Sequence, residues 1–171
     1  MKKLIVLLSL SLAISSCTPY IYLKHELVEG DLENQMDKVQ LFIDRDISIE
    51  RVVTSKEAGL SQKGTYSTRQ GIMYYTIKFD AKLPGLVGSG STEEKIIVIL
   101  DEKASECLPF KNFGDDEFYH LVGEKKSGKF TVTYDGHEYE VSQGHEAKLM
   151  MKRADNKKIK KKVHKAKGRR L

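Results

Sequence analysis

Lys129-Phe130-Thr131-Val132-Thr133-Tyr134-Asp135-Gly136-His137-Glu138-Tyr139-Glu140-Val141 sets two alternating segments on either side of an Asp-Gly pair. Phe130, Val132 and Tyr134 share one face of the first segment, and Tyr139 and Val141 share one face of the second, as half-buried strands require. A two-residue hairpin connection needs positive φ at both central residues, and Asp-Gly tolerates that at low steric cost. The stretch therefore predicts an antiparallel hairpin, 129–134 with 137–141.

The same period of two runs outward through the chain. Val39, Leu41 and Ile43 alternate with Gln40, Phe42 and Asp44; beyond Asp44-Arg45-Asp46, Ile47, Ile49, Arg51 and Val53 alternate with Ser48, Glu50 and Val52. Residues 72–79 form a strand with Met73, Tyr75, Ile77 and Phe79 on one face. Ala58-Gly59, Lys63-Gly64 and Gln70-Gly71 punctuate the polar stretch before it, which holds a short strand near 65–68. Leu83-Pro84-Gly85 turns the chain and 88–91 extends the loop. Ile96-Ile97-Val98-Ile99-Leu100 is short, β-branched and unbroken, and is expected to be a strand buried on both faces. Further strands are expected at 108–113, as an edge interrupted by Pro109, at 118–122 and at 147–151. Asp155-Asn156 is expected to turn the chain into a last basic strand near 159–163. About eight to ten short strands without a long helix define an all-β domain, an antiparallel partly closed barrel or a sandwich. With no amphipathic helix to cover a sheet, closure is the simpler expectation.

The amino terminus follows a different pattern. Lys2 and Lys3 precede an apolar run from Leu4 to Ile14, broken by Ser9 and Ser11, and the run is too short to span a bilayer. Ile14-Ser15-Ser16-Cys17 resembles the lipobox of bacterial lipoproteins. That resemblance implies a diacylglycerol on the Cys17 thiol, cleavage between Ser16 and Cys17, and acylation of the new amino group. Ala13-Ile14-Ser15 would also suit ordinary signal peptidase and release a soluble protein. The expected organisation is a signal peptide at 1–16, lipidated cysteine and tether at 17–37, β-domain at 38–165 and basic tail at 166–171. Within the tether, Tyr20, Tyr22 and Leu23 suit a short edge strand docked on the domain. Thr18, in place of an aspartate, implies sorting to the outer membrane by the rule of enteric bacteria. Without an acidic cluster directly after Cys17, the periplasmic face is expected.

Charge divides the chain. Residues 148–171 hold twelve Lys or Arg and one acid, whereas residues 1–147 hold 17 basic and 23 acidic residues. The anionic-surface candidates are Lys157, Lys158, Lys160, Lys161, Lys162, Lys165, Lys167, Arg169 and Arg170. The secretion signal removes nucleic acid from reach, so anionic lipid is the expected partner, beside an envelope protein. A solvated edge strand whose lysines block sheet-to-sheet pairing is the equal alternative. Removing the signal leaves Cys107 as the single cysteine beside Cys17, so no disulfide within the domain is expected, and Cys107 reads as a buried, inert thiol.

No motif carries catalysis. His25, His120, His137, His145 and His164 lack zinc-ligand spacing, although a hairpin would bring His137 and His145 together across its strands. Asp115-Asp116-Glu117 lacks the alternating ligands of a calcium loop and reads as a solvated turn. Gly85, Gly88 and Gly90 precede no helix that would receive a phosphate. No metal, cofactor or catalytic residue is expected. Of the eight tyrosines, Tyr74, Tyr75 and Tyr119 are candidates to line an open groove, against the alternative that they simply pack.

The alternation through 38–53, Leu83-Pro84-Gly85-Leu86-Val87, Leu108-Pro109-Phe110, Tyr134-Asp135-Gly136 and the closing Lys167-Gly168-Arg169 are similar to small β-barrel lipoproteins of Gram-negative bacteria. That group carries no assigned activity, so the resemblance transfers no site residues. The leading expectation is a lipid-anchored binding or accessory module. The alternatives are a secreted hydrolase using Asp115, Asp116 or Glu117, and a structural protein docking on anionic membrane through its basic end.

Overall fold

Asp135 and Gly136 take φ of 49° and 72°, and Tyr134 pairs with His137, as the hairpin reading requires. In the computed structural model, which describes residues 19–29, 39–58, 63–101 and 107–159, this hairpin joins β11 (Lys129–Tyr134) to β12 (His137–Gln143). It extends outward to β10 (Glu124–Lys126) and inward to β3 (Ile47–Val52), β5 (Ile72–Phe79) and β4 (Thr65–Arg69). The resulting sheet has the order β10-β11-β12-β3-β5-β4. The second sheet is built from β1 (Tyr20–Tyr22), β2 (Leu41–Ile43), β6 (Pro84–Val87), β7 (Lys95–Ile99), β8 (Cys107–Lys111), β9 (His120–Leu121) and β13 (Leu149–Lys152). Its order is β1-β13-β2-β6-β7-β8-β9, and every pairing in both sheets is antiparallel.

The two sheets form a sandwich and do not close into a barrel, so of the two expected architectures the second is realised. Closure is unnecessary because each sheet buries the other's apolar face. Ile47, Ile49, Ile77, Phe79, Val132 and Val141 meet Leu41, Ile43, Ile96, Val98, Leu108, Phe110, Leu149 and Met151 in one continuous core. The chain changes sheets between β2 and β3 at Asp44-Arg45-Asp46. There Lys148 donates its backbone N–H to Asp44 Oδ1 at 2.8 Å and Ala81 donates to Asp46 Oδ1 at 2.7 Å.

Several local expectations are corrected. Ile96 and Val98 are fully buried but Ile97 and Ile99 only half so, because their outer face is covered merely by the 88–91 loop, anchored by Gly88 N–H to the Ile97 carbonyl at 2.7 Å. Pro109 lies in an interior strand, with its carbonyl accepting from Val122 at 2.8 Å. Asp155-Asn156 is not a turn: it falls within a short helix, α1 (Arg153–Ile159). The expected strand near 159–163 lies beyond the described residues except for Ile159, which ends that helix. The stretch read as tether belongs in part to the sandwich. Tyr20–Tyr22 pairs with β13, and Leu23 and Val28 enter the core at 0% and 1% exposure.

Gly144 closes the bend after β12 with φ of 83°, and a Cβ there would overlap the Asp46 carbonyl oxygen and Ile47 Cα. Gly136 has a similar φ but open space around it. Gly144→Ala should therefore lower unfolding free energy by at least about 2 kcal/mol, and Gly136→Ala by about 1 kcal/mol. Urea unfolding of the two variants measures the difference; equal losses would mean that the close approach to the corner contributes nothing.

Candidate binding cleft

Arg51 continues the inward face of β3 past Ile47 and Ile49, where alternation calls for an apolar residue. Its neighbour in register is Tyr75. Around these two the inner face of the six-stranded sheet ends in tyrosines: Tyr75 from β5, Tyr134 and Tyr139 from the hairpin, and Tyr66 from β4. Together with Ile77, Glu57, Lys63, Asp135 and His137 they line a cleft of about 300 Å³. Tyr66 and Tyr75 stack at 4.9 Å between ring centroids, and Tyr134 and Tyr139 meet edge to face at 6.3 Å.

Charge in the cleft is largely paired. Arg51 Nη1 donates to Glu57 Oε1 at 3.0 Å, and its guanidinium lies 5.8 Å from the Tyr139 ring centroid. Its Nε is buried without an acceptor. Lys63 pairs with Asp101 at 2.7 Å. Glu57 also accepts from the Thr54 backbone N–H at 2.8 Å and the Thr54 hydroxyl at 2.9 Å, which pins the 54–58 loop at the rim. The Thr54 N–H first, then Arg51 and the Thr54 hydroxyl, hold the Glu57 carboxyl down at about 2. Burial pushes the Tyr139 hydroxyl above its usual range, against the pull of Arg51.

Of the three tyrosines singled out from the sequence, one lines this cleft. Tyr75 does; its neighbour Tyr74 points to the opposite face, beneath Arg69, whose guanidinium carbon is 3.8 Å from the ring centroid. Tyr119 is fully buried, donates its hydroxyl to the Glu93 carbonyl, and sits 3.1 Å from His25 Nδ1. Burial raises the Tyr119 pKa. Sequence reasoning missed Tyr66, Tyr134, Tyr139 and Arg51 as a group. Their common signal is register: Tyr66 and Arg51 flank Tyr75 on neighbouring strands, and Tyr134 and Tyr139 take inward slots of the adjoining hairpin.

The acidic triplet does not converge on the cleft. Asp115 is exposed, and Glu117 pairs with Lys24. Asp116 accepts from the Phe118 N–H at 2.9 Å, lies 2.8 Å from His120 Nε2, and receives Lys148 Nζ at 3.2 Å. Burial pushes the Asp116 pKa up, but these three partners outweigh it and hold the carboxyl below its usual range. Such a carboxylate is suited to fastening the 112–118 loop, not to donating a proton near neutral pH. His137 begins β12 and His145 lies past its end, so the two do not meet. Among the described residues, no three His, Cys, Asp or Glu side chains gather as metal ligands would. Cys107 is half-buried, not enclosed.

Lys157 and Lys158 fall within α1, while Ser16, Cys17, Lys160, Lys161, Lys162, Lys165, Lys167, Arg169 and Arg170 lie outside the described residues. No helix among the described residues is long and apolar enough to cross a membrane. No protein-family model, curated protein or solved structure matches the chain.

Because the folded Glu57 carboxyl titrates near 2 against an ordinary 4.5, its contribution to stability is complete above 4.5 and is lost as pH falls towards 2. Carboxyl NMR titration should find that low midpoint, and Thr54→Ala should move it upward. A midpoint near 4.5 in the unaltered chain would mean that the rim loop is not held as described.

Proposed function

We propose that the protein is an envelope lipoprotein, anchored through acylated Cys17 and facing the periplasm from the outer membrane, that works as a binding module. The tyrosine-lined cleft is its ligand site, and that cleft is the observation that carries the reading. Its volume of about 300 Å³ lies at the lower end of small-molecule sites. Tyrosine rings supply contact area at low entropic cost while their hydroxyls donate and accept. Since Arg51 and Lys63 already face Glu57 and Asp101, the cleft suits a small, uncharged polar group, such as a hydroxylated ring. Anchoring is supported by the lipobox-like Ile14-Ser15-Ser16-Cys17, and the outer-membrane assignment by Thr18.

Hydrolysis by Asp115, Asp116 or Glu117 finds less support, because Asp116 and Glu117 are spent on cations that hold their own loop.

Two measurements test the proposal. Cells fed labelled palmitate should yield labelled protein, and Cys17→Ser should abolish the label; an unlabelled wild-type chain would end the anchoring claim. Protein extracted gently from membranes and examined by native mass spectrometry should retain a small molecule. Tyr66→Ala, at a half-buried rim position, should reduce that retention about tenfold, in keeping with the loss of one aromatic anchor. Equal retention by this variant would remove the cleft as the binding site.

A further inference from the structure

The amino-terminal edge strand and the basic carboxyl-terminal segment leave the sandwich at one point. Tyr20 pairs with Lys152, and the Arg153 N–H donates to the Pro19 carbonyl at 2.8 Å. Pro19 is two residues from Cys17, a reach of at most about 7 Å along the chain. On the other side of the same hydrogen bond begin residues 153–171, with ten Lys or Arg and one acid.

The outer sheet face at this point has an unusual surface. Ile21, Met151 and Leu41 point inward in register, which sends Tyr20, Tyr22, Met150, Lys152 and Phe42 outward. Phe42 and Met150 are nonetheless only 5% and 9% exposed, because neighbouring side chains lie over them. The Tyr20 ring packs edge to face on Phe42 at 4.8 Å, and Lys152 Nζ stands 5.6 Å from the Phe42 centroid. Lys82 Nζ stands 5.9 Å from the Tyr20 centroid, and Tyr22 rests on Phe118 at 5.2 Å while remaining 43% exposed. Lys82 and Lys152 thus partner rings, whereas Lys24, Lys126 and Lys129 partner carboxylates and Lys148 stands between Asp116 and the Phe118 ring. Cations with no ion pair among the described residues, set beside partly exposed tyrosines, are the composition of a membrane–water interface.

We propose that this outer face of β1, β13 and β2 is a docking surface for anionic phospholipid headgroups, with Lys82, Lys152 and Arg153 taking the phosphates and Tyr20 and Tyr22 the interfacial layer. The surface complements the lipid in charge, and any acyl group on Cys17 would enter the bilayer beside it. The inference rests on the envelope reading for its setting, and its chemistry is independent of acylation. A lipid anchor and a basic surface together give the two signals that stable attachment needs.

The test uses the mature polypeptide without its lipid, residues 17–171 carrying Cys17→Ser, and vesicles of phosphatidylcholine with or without phosphatidylglycerol. The chain should cosediment only with the anionic vesicles and should be released by salt. Lys82→Gln with Lys152→Gln should weaken this binding by roughly fivefold for each lysine removed. Lys126→Gln with Lys129→Gln, the same change of charge on the other sheet, should weaken it far less. The protein has no tryptophan, so Tyr22→Trp places a single reporter on the surface. Its emission should shift to the blue on anionic vesicles, while that of Tyr74→Trp should not. Equal weakening by the two lysine pairs, or no shift at position 22, would overturn the proposal and leave the carboxyl-terminal segment as the only lipid contact. Palmitate labelling decides the anchor separately, so failure of one reading is distinguishable from failure of the other.

Discussion

Everything in this sandwich depends on the corner at Asp44-Arg45-Asp46, where the chain passes from one sheet to the other within three residues. Both carboxylates are used to fix it. Asp44, with its side chain 5% exposed, receives the Lys148 N–H and also Arg45, so it ties the corner to the start of β13. Asp46 receives the Ala81 N–H, which ties the corner to the turn after β5. Gly144 then lies so close to the Asp46 carbonyl that no side chain fits. Three segments distant in sequence are thereby held at one place, and β2 and β3 can present their alternating apolar residues to each other across the core.

The corner also determines which strands have neighbours. With β2 between β13 and β6, the end of the seven-stranded sheet would present an unpaired β13, and the nearest segment able to cover it is Tyr20–Tyr22. That strand satisfies the edge hydrogen bonds and delivers Leu23 to the core. An unsatisfied backbone edge is costly and a buried leucine is worth roughly 2 kcal/mol, so this segment has strong reason to dock. Docking brings folded structure to within two residues of Cys17, since the Pro19 carbonyl already accepts from Arg153.

How much of this was legible depended on whether local pattern or long-range placement decided each feature. Asp135-Gly136 announced its hairpin because the turn chemistry and the flanking alternation agree. Gln70-Gly71 and Ser127-Gly128 adopt the same pair of positive φ values, 52° and 79°, and 50° and 80°. The second has no such flanks, since the strand before it is Glu124-Lys125-Lys126, all charged, held as an edge by its partner β11 alone. Helix α1 has seven residues, too few for a 3.6-residue period to be read against turn-forming Asp155 and Asn156. The cleft was half legible. Period two separates Tyr75 from Tyr74 by face, but it does not say that Arg51 of β3 falls beside Tyr75 of β5 and that Tyr66 flanks Tyr75 on the other side. Arg51 was the available hint: a cation in an inward slot, with buried Val53 beyond it, marks a break in the core.

The positions of the two surfaces have a consequence for how such a module would work. From Ile47 at the corner to Arg51 at the cleft, β3 advances by about 13 Å, and stacked sheets stand about 10 Å apart. The lysine–tyrosine surface lies on the outside of one sheet, close to the corner through Phe42 and Met150. The cleft opens at the far end of β3 in the other sheet. With the first surface against headgroups, the advance along β3 would run beside the membrane, and the cleft would stand on the second sheet about 10 Å further from the lipid. A domain fixed at one point by a single flexible tether would present its cleft in every direction. One held across the width of three strands would present it in one, with Lys82 and Lys152, which stand against rings, as the contacts that hold it there.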